Sequence, residues 1–202
     1  QKTNKGNVVI LVEGGIRQIH KSKEHAIHSD SESGFITLLA SKVGLQTLCP
    51  EPDMKAERAH LLKTFSKEEI QYYYFARVVH QWNNIPSPKR DVEEYIKGSL
   101  QRDERISGWV GFDFSLENMK KIHAQIFSTE FGGNDAKFFY SIINPTTTKS
   151  TINKVARSSS TFRNVYVVQE IKRLWDEGKN IFVVFGSAHA ILQEPALRKL
   201  LT

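Results

Sequence analysis

Residues 180–191 read NIFVVFGSAHAI. Ile181 to Phe185 is an unbroken apolar run rich in β-branched and aromatic residues. It stops at Gly186-Ser187-Ala188, and His189 follows at once. A short continuous apolar run bounded by turn residues reads as a strand buried on both faces, as in a parallel sheet covered by helices. The small-residue turn then delivers an imidazole just past the strand's carboxyl end. Open α/β sheets bind their ligands there.

A second run of the same kind, NVVILV (7–12), ends in Glu13-Gly14-Gly15. LQTLC (45–49) is a shorter, mixed strand candidate. KFFYSII (137–143) reads either as a strand or as a buried helix, since periodicity does not separate the two. Helices are clearer. Ser66 and Glu69 form a capping-box pattern ahead of an apolar stripe of Ile70, Tyr73, Tyr74, Val78 and Trp82. SLENMKKIHAQIF starts at Ser115, and TFRNVYVVQEIKRLWDEG runs from Thr161 to a Gly178 stop. SGFITLLASKVG (33–44) leads into strand 45–49, and EPALRKLL closes the chain. NPTTTKS and RSSST read as loops before the helix at 161.

Strands alternating with helices predict an α/β fold with a largely parallel central sheet flanked by helices. The 202 residues suit a single domain, 1–202. IPSPKRD (85–91) reads as a linker between halves 1–84 and 91–202. Each half carries an apolar strand followed by a glycine turn. This suggests a duplicated unit, although no residue-level repeat accompanies it.

Composition narrows the function classes. The chain is 40% hydrophobic and 25% charged, ordinary for a globular protein. No apolar run approaches the roughly 20 residues of a membrane span. The single cysteine, Cys49, excludes an intramolecular disulfide and a Cys-rich zinc site. It suits a cytoplasmic setting, while a start at Gln1 rather than Met leaves room for an upstream targeting signal. The net charge of +6 comes from scattered lysines and arginines without interleaved aromatics, so no nucleic-acid partner is expected. Neither a dinucleotide fingerprint nor a P-loop is present. Segment 20–32, HKSKEHAIHSDSE, is charged and serine-rich, and reads as a mobile flap. Its His20, His25 and His28 read as exposed basic residues rather than a zinc cluster.

If the strands are parallel, Glu13, Glu51 and His189 share one rim. Arg163 lies on one helix face with Val167, Ile171 and Leu174, the face expected to pack on the sheet. A guanidinium there requires an anionic partner. Glu13 is the first choice, Glu51 the second and a substrate anion the third. Asn164 beside it adds an amide donor and acceptor.

VILVEGG, then RN opening an amphipathic helix, then FVVFGSAH resembles the TraB/Tiki superfamily. That group includes TraB and pheromone-shutdown proteins, Tiki metalloproteases, ChaN-like haem-binding lipoproteins and erythromycin esterases. The resemblance covers residues 7–53 and 161–201 and leaves 54–160 unassigned. It implies functional positions at Glu13, Arg163 and His189, with Gly186 letting the turn approach the site. One departure stands out. The family's first Gly-x-x-His motif precedes the strand-end glutamate, and it is missing from this chain.

The expected activity is that of a hydrolase of esterase or peptidase type. Water would be activated either by a divalent metal on Glu13 and His189, zinc or manganese, or by the His/Glu pair itself. Glu51, Asn164 and Gly186 would line the substrate, a small molecule or a peptide, and Arg163 would stabilise an oxyanion. Zinc usually takes three protein ligands, and the chain offers only two securely. The rival readings are a binding protein for an anionic ligand or haem, with Tyr72, Tyr73 and Tyr74 on a basic rim, and a toxin-like or regulatory interaction module.

Overall fold

The two long apolar runs lie side by side. In the computed structural model, which describes residues 7–87 and 90–201, β1 (Val8–Val12) is the middle strand of a three-stranded sheet. β2 (Gln46–Leu48) flanks it on one side and β3 (Asn180–Val184) on the other, all parallel. The fold is α/β, with helices flanking the sheet. Val12 stands opposite Val184, so both strands end at one rim.

The period of two along β1 feeds two faces. Val9 and Leu11 pack with Val167, Ile171 and Leu174 of α7 (Thr151–Asp176). Ile10 and Val12 pack with Ile36 and Ala40 of α1 (Lys23–Lys42). Val9, Ile10, Leu11 and Val12 are all buried. β3 does not match the expectation of burial on both faces: Phe182 is 56% and Val183 38% exposed. The reason is position, since β3 is an edge strand and β1 is not.

The chain divides into two compact units, one formed by residues 1–52 and 163–202 and the other by 53–162. The first holds the sheet, α1, the Arg163–Asp176 part of α7, and α8 (Ser187–Leu200). The second is helical: α2 (Met54–Leu61), α3 (Lys67–Asn83), α4 (Val92–Ser107), α5 (Leu116–Phe127), α6 (Ala136–Ile143) and the start of α7. Residues 85–91 join α3 to α4 within this unit. Of that stretch Pro88 and Lys89 lie outside the described residues, as does the polar start at 1–6.

α3 begins with the expected capping box: Glu69 N donates to Ser66 Oγ, and Ser66 N to Glu69 Oε2. It is buried well beyond one stripe. Tyr72, Phe75, Ala76 and Val79 are shielded together with Ile70, Tyr73 and Tyr74. The three tyrosines are therefore core residues of the second unit, which corrects their placement on a ligand-binding rim. Tyr72 and His123 share a 2.5 Å hydrogen bond inside this core. Beside them runs a buried polar chain. Arg58 Nη1 donates to Gln71 Oε1 at 3.0 Å, and Gln71 Nε2 to Asp103 Oδ2 at 3.1 Å. The Arg58 guanidinium lies 4.2 Å from the Tyr74 ring centroid and 3.5 Å from the Asp103 carboxylate.

Residues 137–143 take the helical one of their two readings. Other elements depart from the sequence reading. RSSST (157–161) lies inside α7 rather than in a loop. Segment 20–32 is helical from Lys23, because Ser22 caps it (His25 N to Ser22 Oγ, 3.1 Å) and Ala26 is buried. The helix breaks at Asp30-Ser31, where Ser31 has a φ of 51°.

Candidate functional site

Three strand ends, the start of α8 and the middle of α7 build the site. β1 delivers Glu13, and Gly14 and Gly15 follow with φ of 82° and 100°, which side-chain-bearing residues rarely adopt. That turn brings Gly14 N to Glu51 Oε2 at 2.7 Å and Gly15 N to Cys49 Sγ at 3.3 Å, tying the ends of β1 and β2 together. After β3, Gly186 caps α8, and its N–H donates to Glu13 Oε2 at 2.8 Å. A Cβ at Gly186 would stand 3.3 Å from that oxygen, so the close approach favours glycine.

Glu13, His189 and Arg163 are brought together as expected from the parallel rim. His189 Nε2 lies 3.4 Å from Glu13 Oε1. Arg163 is the first residue of the first unit's share of α7, its side chain 17% exposed. Its partner corrects the expected order. Nη2 donates to Glu51 Oε1, whereas Glu13 Oε1 is 4.0 Å away. Glu51 is the more buried of the two carboxylates, at 11% against 32% side-chain exposure.

The imidazole is held from behind. His189 Nδ1 donates to Asn164 Oδ1 at 2.8 Å, and Gln193 Nε2 donates to the same oxygen at 2.8 Å. An amide oxygen only accepts, so Nδ1 carries a proton; Nε2, facing Glu13, donates to it when the ring is an imidazolium and holds its lone pair when the ring is neutral. Phe185 packs edge-on to the ring, centroids 5.9 Å apart. Gln193 was missed in the sequence. It lies four residues after His189 on one helix, and that spacing could have revealed it. Ser33 was missed too; its hydroxyl donates to the Glu13 carbonyl at 3.1 Å.

The electrostatics follow from these contacts. The neighbouring His189 imidazole, the Gly186 N–H and Arg163 together outweigh partial burial and hold the Glu13 carboxyl at about 2. Glu13 is thus a carboxylate throughout the neutral range. Burial pushes the Cys49 thiol up, with Glu51 nearby adding to the rise.

A resident divalent metal does not fit this arrangement. Glu13 and His189 supply two donors, and the Glu51 carboxylate is spent on Gly14 and Arg163. Arg163 also places a fixed cation beside Glu13. Among the described residues no group of three or more His, Cys, Asp or Glu side chains is gathered to hold a metal ion. His20 is engaged elsewhere, with Asp30 at 2.6 Å.

No family model, curated protein or solved structure matches the chain. No helix among the described residues is long and apolar enough to cross a membrane.

Proposed function

We propose that the first unit carries a metal-free, hydrolase-type site acting on an ester or amide. His189 is the general base and Glu13 its electrostatic partner. The observation that carries this reading is the opposed holding of one imidazole. Nδ1 is committed to Asn164, and Nε2 is directed toward a permanently ionised carboxylate. In this reading Nε2 takes a proton from water as its oxygen attacks the carbonyl carbon. Glu13, whose carboxyl is held far too low to act as a base near neutrality, stabilises the resulting imidazolium. The imidazolium then returns the proton to the leaving group. The nearby glycine N–H groups already serve Glu51, Cys49 and Glu13, so Arg163 supplies the positive charge at the rim. The resemblance of VILVEGG, RN and FVVFGSAH to the TraB/Tiki superfamily supports the same three residues.

The charge balance weighs against the rival reading of an anion- or haem-binding rim. Glu13 and Glu51 outnumber Arg163 at this point, and an incoming anion would meet a net negative cluster.

Hydrolysis of p-nitrophenyl acetate by the wild type, His189→Gln and Glu13→Gln tests the reading. The wild type is expected to exceed an equal concentration of free imidazole. His189→Gln is expected to lose about 100-fold or more, with a smaller loss in Glu13→Gln. A wild-type rate no greater than imidazole, or undiminished activity in His189→Gln, would overturn it.

A further inference from the structure

A neutral His189 ring carries one proton, and two acceptors face it. Asn164 Oδ1 lies 2.8 Å from Nδ1, and Glu13 Oε1 lies 3.4 Å from Nε2. A carboxylate is ordinarily the stronger acceptor, because its charge assists the hydrogen bond. On that ground alone the proton would sit on Nε2, and the lone pair would be left on Nδ1, away from Glu13. Asn164 could permit this by turning its amide over and offering its NH2 group to Nδ1. Gln193 opposes that turn. Its Nε2 donates to the same Asn164 Oδ1 at 2.8 Å, so a reversed Asn164 would set one NH2 group against another. Gln193 lies one helical turn after His189 on α8 and is 3% exposed. Water therefore does not readily replace its hydrogen bond.

We propose that Gln193 is a positioning residue: by fixing the Asn164 amide it keeps the His189 proton on Nδ1 and the basic lone pair on Nε2. Its effect passes through Asn164, so Gln193 itself touches neither the substrate nor the attacking water. The consequence for rate rests on the hydrolase reading, in which Nε2 takes a proton from water; the consequence for the ring does not. A packing role would respond differently to substitution. A side chain that only fills space is replaced by another of similar volume, whereas a donor is not replaced by an acceptor of the same shape. Gln193→Glu makes that exchange. A carboxylate at this position accepts from a reversed Asn164, which then donates to Nδ1 and leaves the proton on Nε2. Gln193→Met removes the donor and keeps the length, so that Glu13 draws the proton to Nε2.

Nitrogen NMR shifts of the His189 ring, at a pH where it is neutral, report which nitrogen holds the proton. The wild type is expected to hold it on Nδ1, and Gln193→Met and Gln193→Glu mainly on Nε2. With p-nitrophenyl acetate, kcat should fall about tenfold in Gln193→Met at nearly unchanged KM. Met is apolar and of similar volume, so that variant is expected to fold, and amide spectra of both variants check it. Gln193→Met alone decides the matter if a buried carboxylate unfolds Gln193→Glu. A wild-type proton on Nε2, a proton that stays on Nδ1 in Gln193→Met, or a moved proton with undiminished kcat would each overturn the proposal. A moved proton in a protein whose wild type is inactive toward the ester supports the hold of Gln193 on the ring and counts against the hydrolase reading alone.

Discussion

Arg163 reaches across the rim to Glu51 and leaves Glu13 4.0 Å away. One guanidinium therefore anchors the end of β2 to α7, while the end of β1 is held separately by Gly186 and faces His189. Structural support and chemistry fall on different carboxylates.

Replacing Arg163 with Met leaves the Glu51 carboxylate partly buried without its cation. A loss of about 2–4 kcal/mol is expected in urea unfolding, and Arg163→Lys should restore only part of it because an ammonium lacks the planar fork. In double-mutant cycles the coupling of Arg163 to Glu51 should exceed its coupling to Glu13. The opposite order would show that the pairing is misassigned.

Glu13 has a carboxyl near 2 in the folded protein, depressed from its ordinary 4.5 mainly by His189. A depressed acid contributes stability that is present above its unfolded pKa and lost as pH falls through the folded one. Wild-type stability should therefore decline between about pH 4.5 and 2, and Glu13→Gln should show a shallower decline there. His189→Gln should move the Glu13 titration upward, as read by carboxyl NMR.

In the helical unit, Arg58 and Asp103 are both nearly inaccessible. Removing one partner strands a buried charge, so Asp103→Ala is expected to cost about 3–5 kcal/mol. The double variant Arg58→Met/Asp103→Leu should recover much of that stability, because apolar replacements of similar volume remove both charges. A double variant as unstable as the sum of its parts would contradict this.

Cys49 lies beside the site with its thiol raised by burial. Thiolate is the reactive form. Alkylation by iodoacetamide at pH 7.5, a condition set on the order of one unit below a free thiol's pKa, should be slower than for glutathione and should accelerate on unfolding. Rapid modification of the native protein would show an accessible, activated thiol.

The parts of the fold legible in sequence were those with a strong local signal. β1 and β3 are continuous apolar runs, and the Ser66/Glu69 box marks α3. α2 was missed because its buried face includes Glu57 and Arg58, which carry no apolar period; α4 went unread although it was legible, since Val92, Ile96 and Leu100 follow one helix face behind the Asp91 cap. The serines of 157–161 argued for a loop, yet Ser159 is buried in α7 and donates to Glu57 at 2.6 Å. At the site, strand ends located Glu13, Glu51 and His189, and helix periodicity located Arg163. Which carboxylate Arg163 would choose was not legible, because it depends on the Gly14 turn drawing Glu51 inward.

The Gly186 to Glu13 hydrogen bond spans 173 residues of chain. The first unit is thus discontinuous, whereas the helical unit between its segments is a single uninterrupted stretch. During synthesis β1 cannot pair with β3 until everything between them has followed. Contacts this distant slow folding and prolong the exposure of unpaired apolar strands. The helical unit is continuous in sequence and can form first, shortening the effective loop that β1 and β3 must close. Assembly of the rim is accordingly a late event in the life of each new molecule.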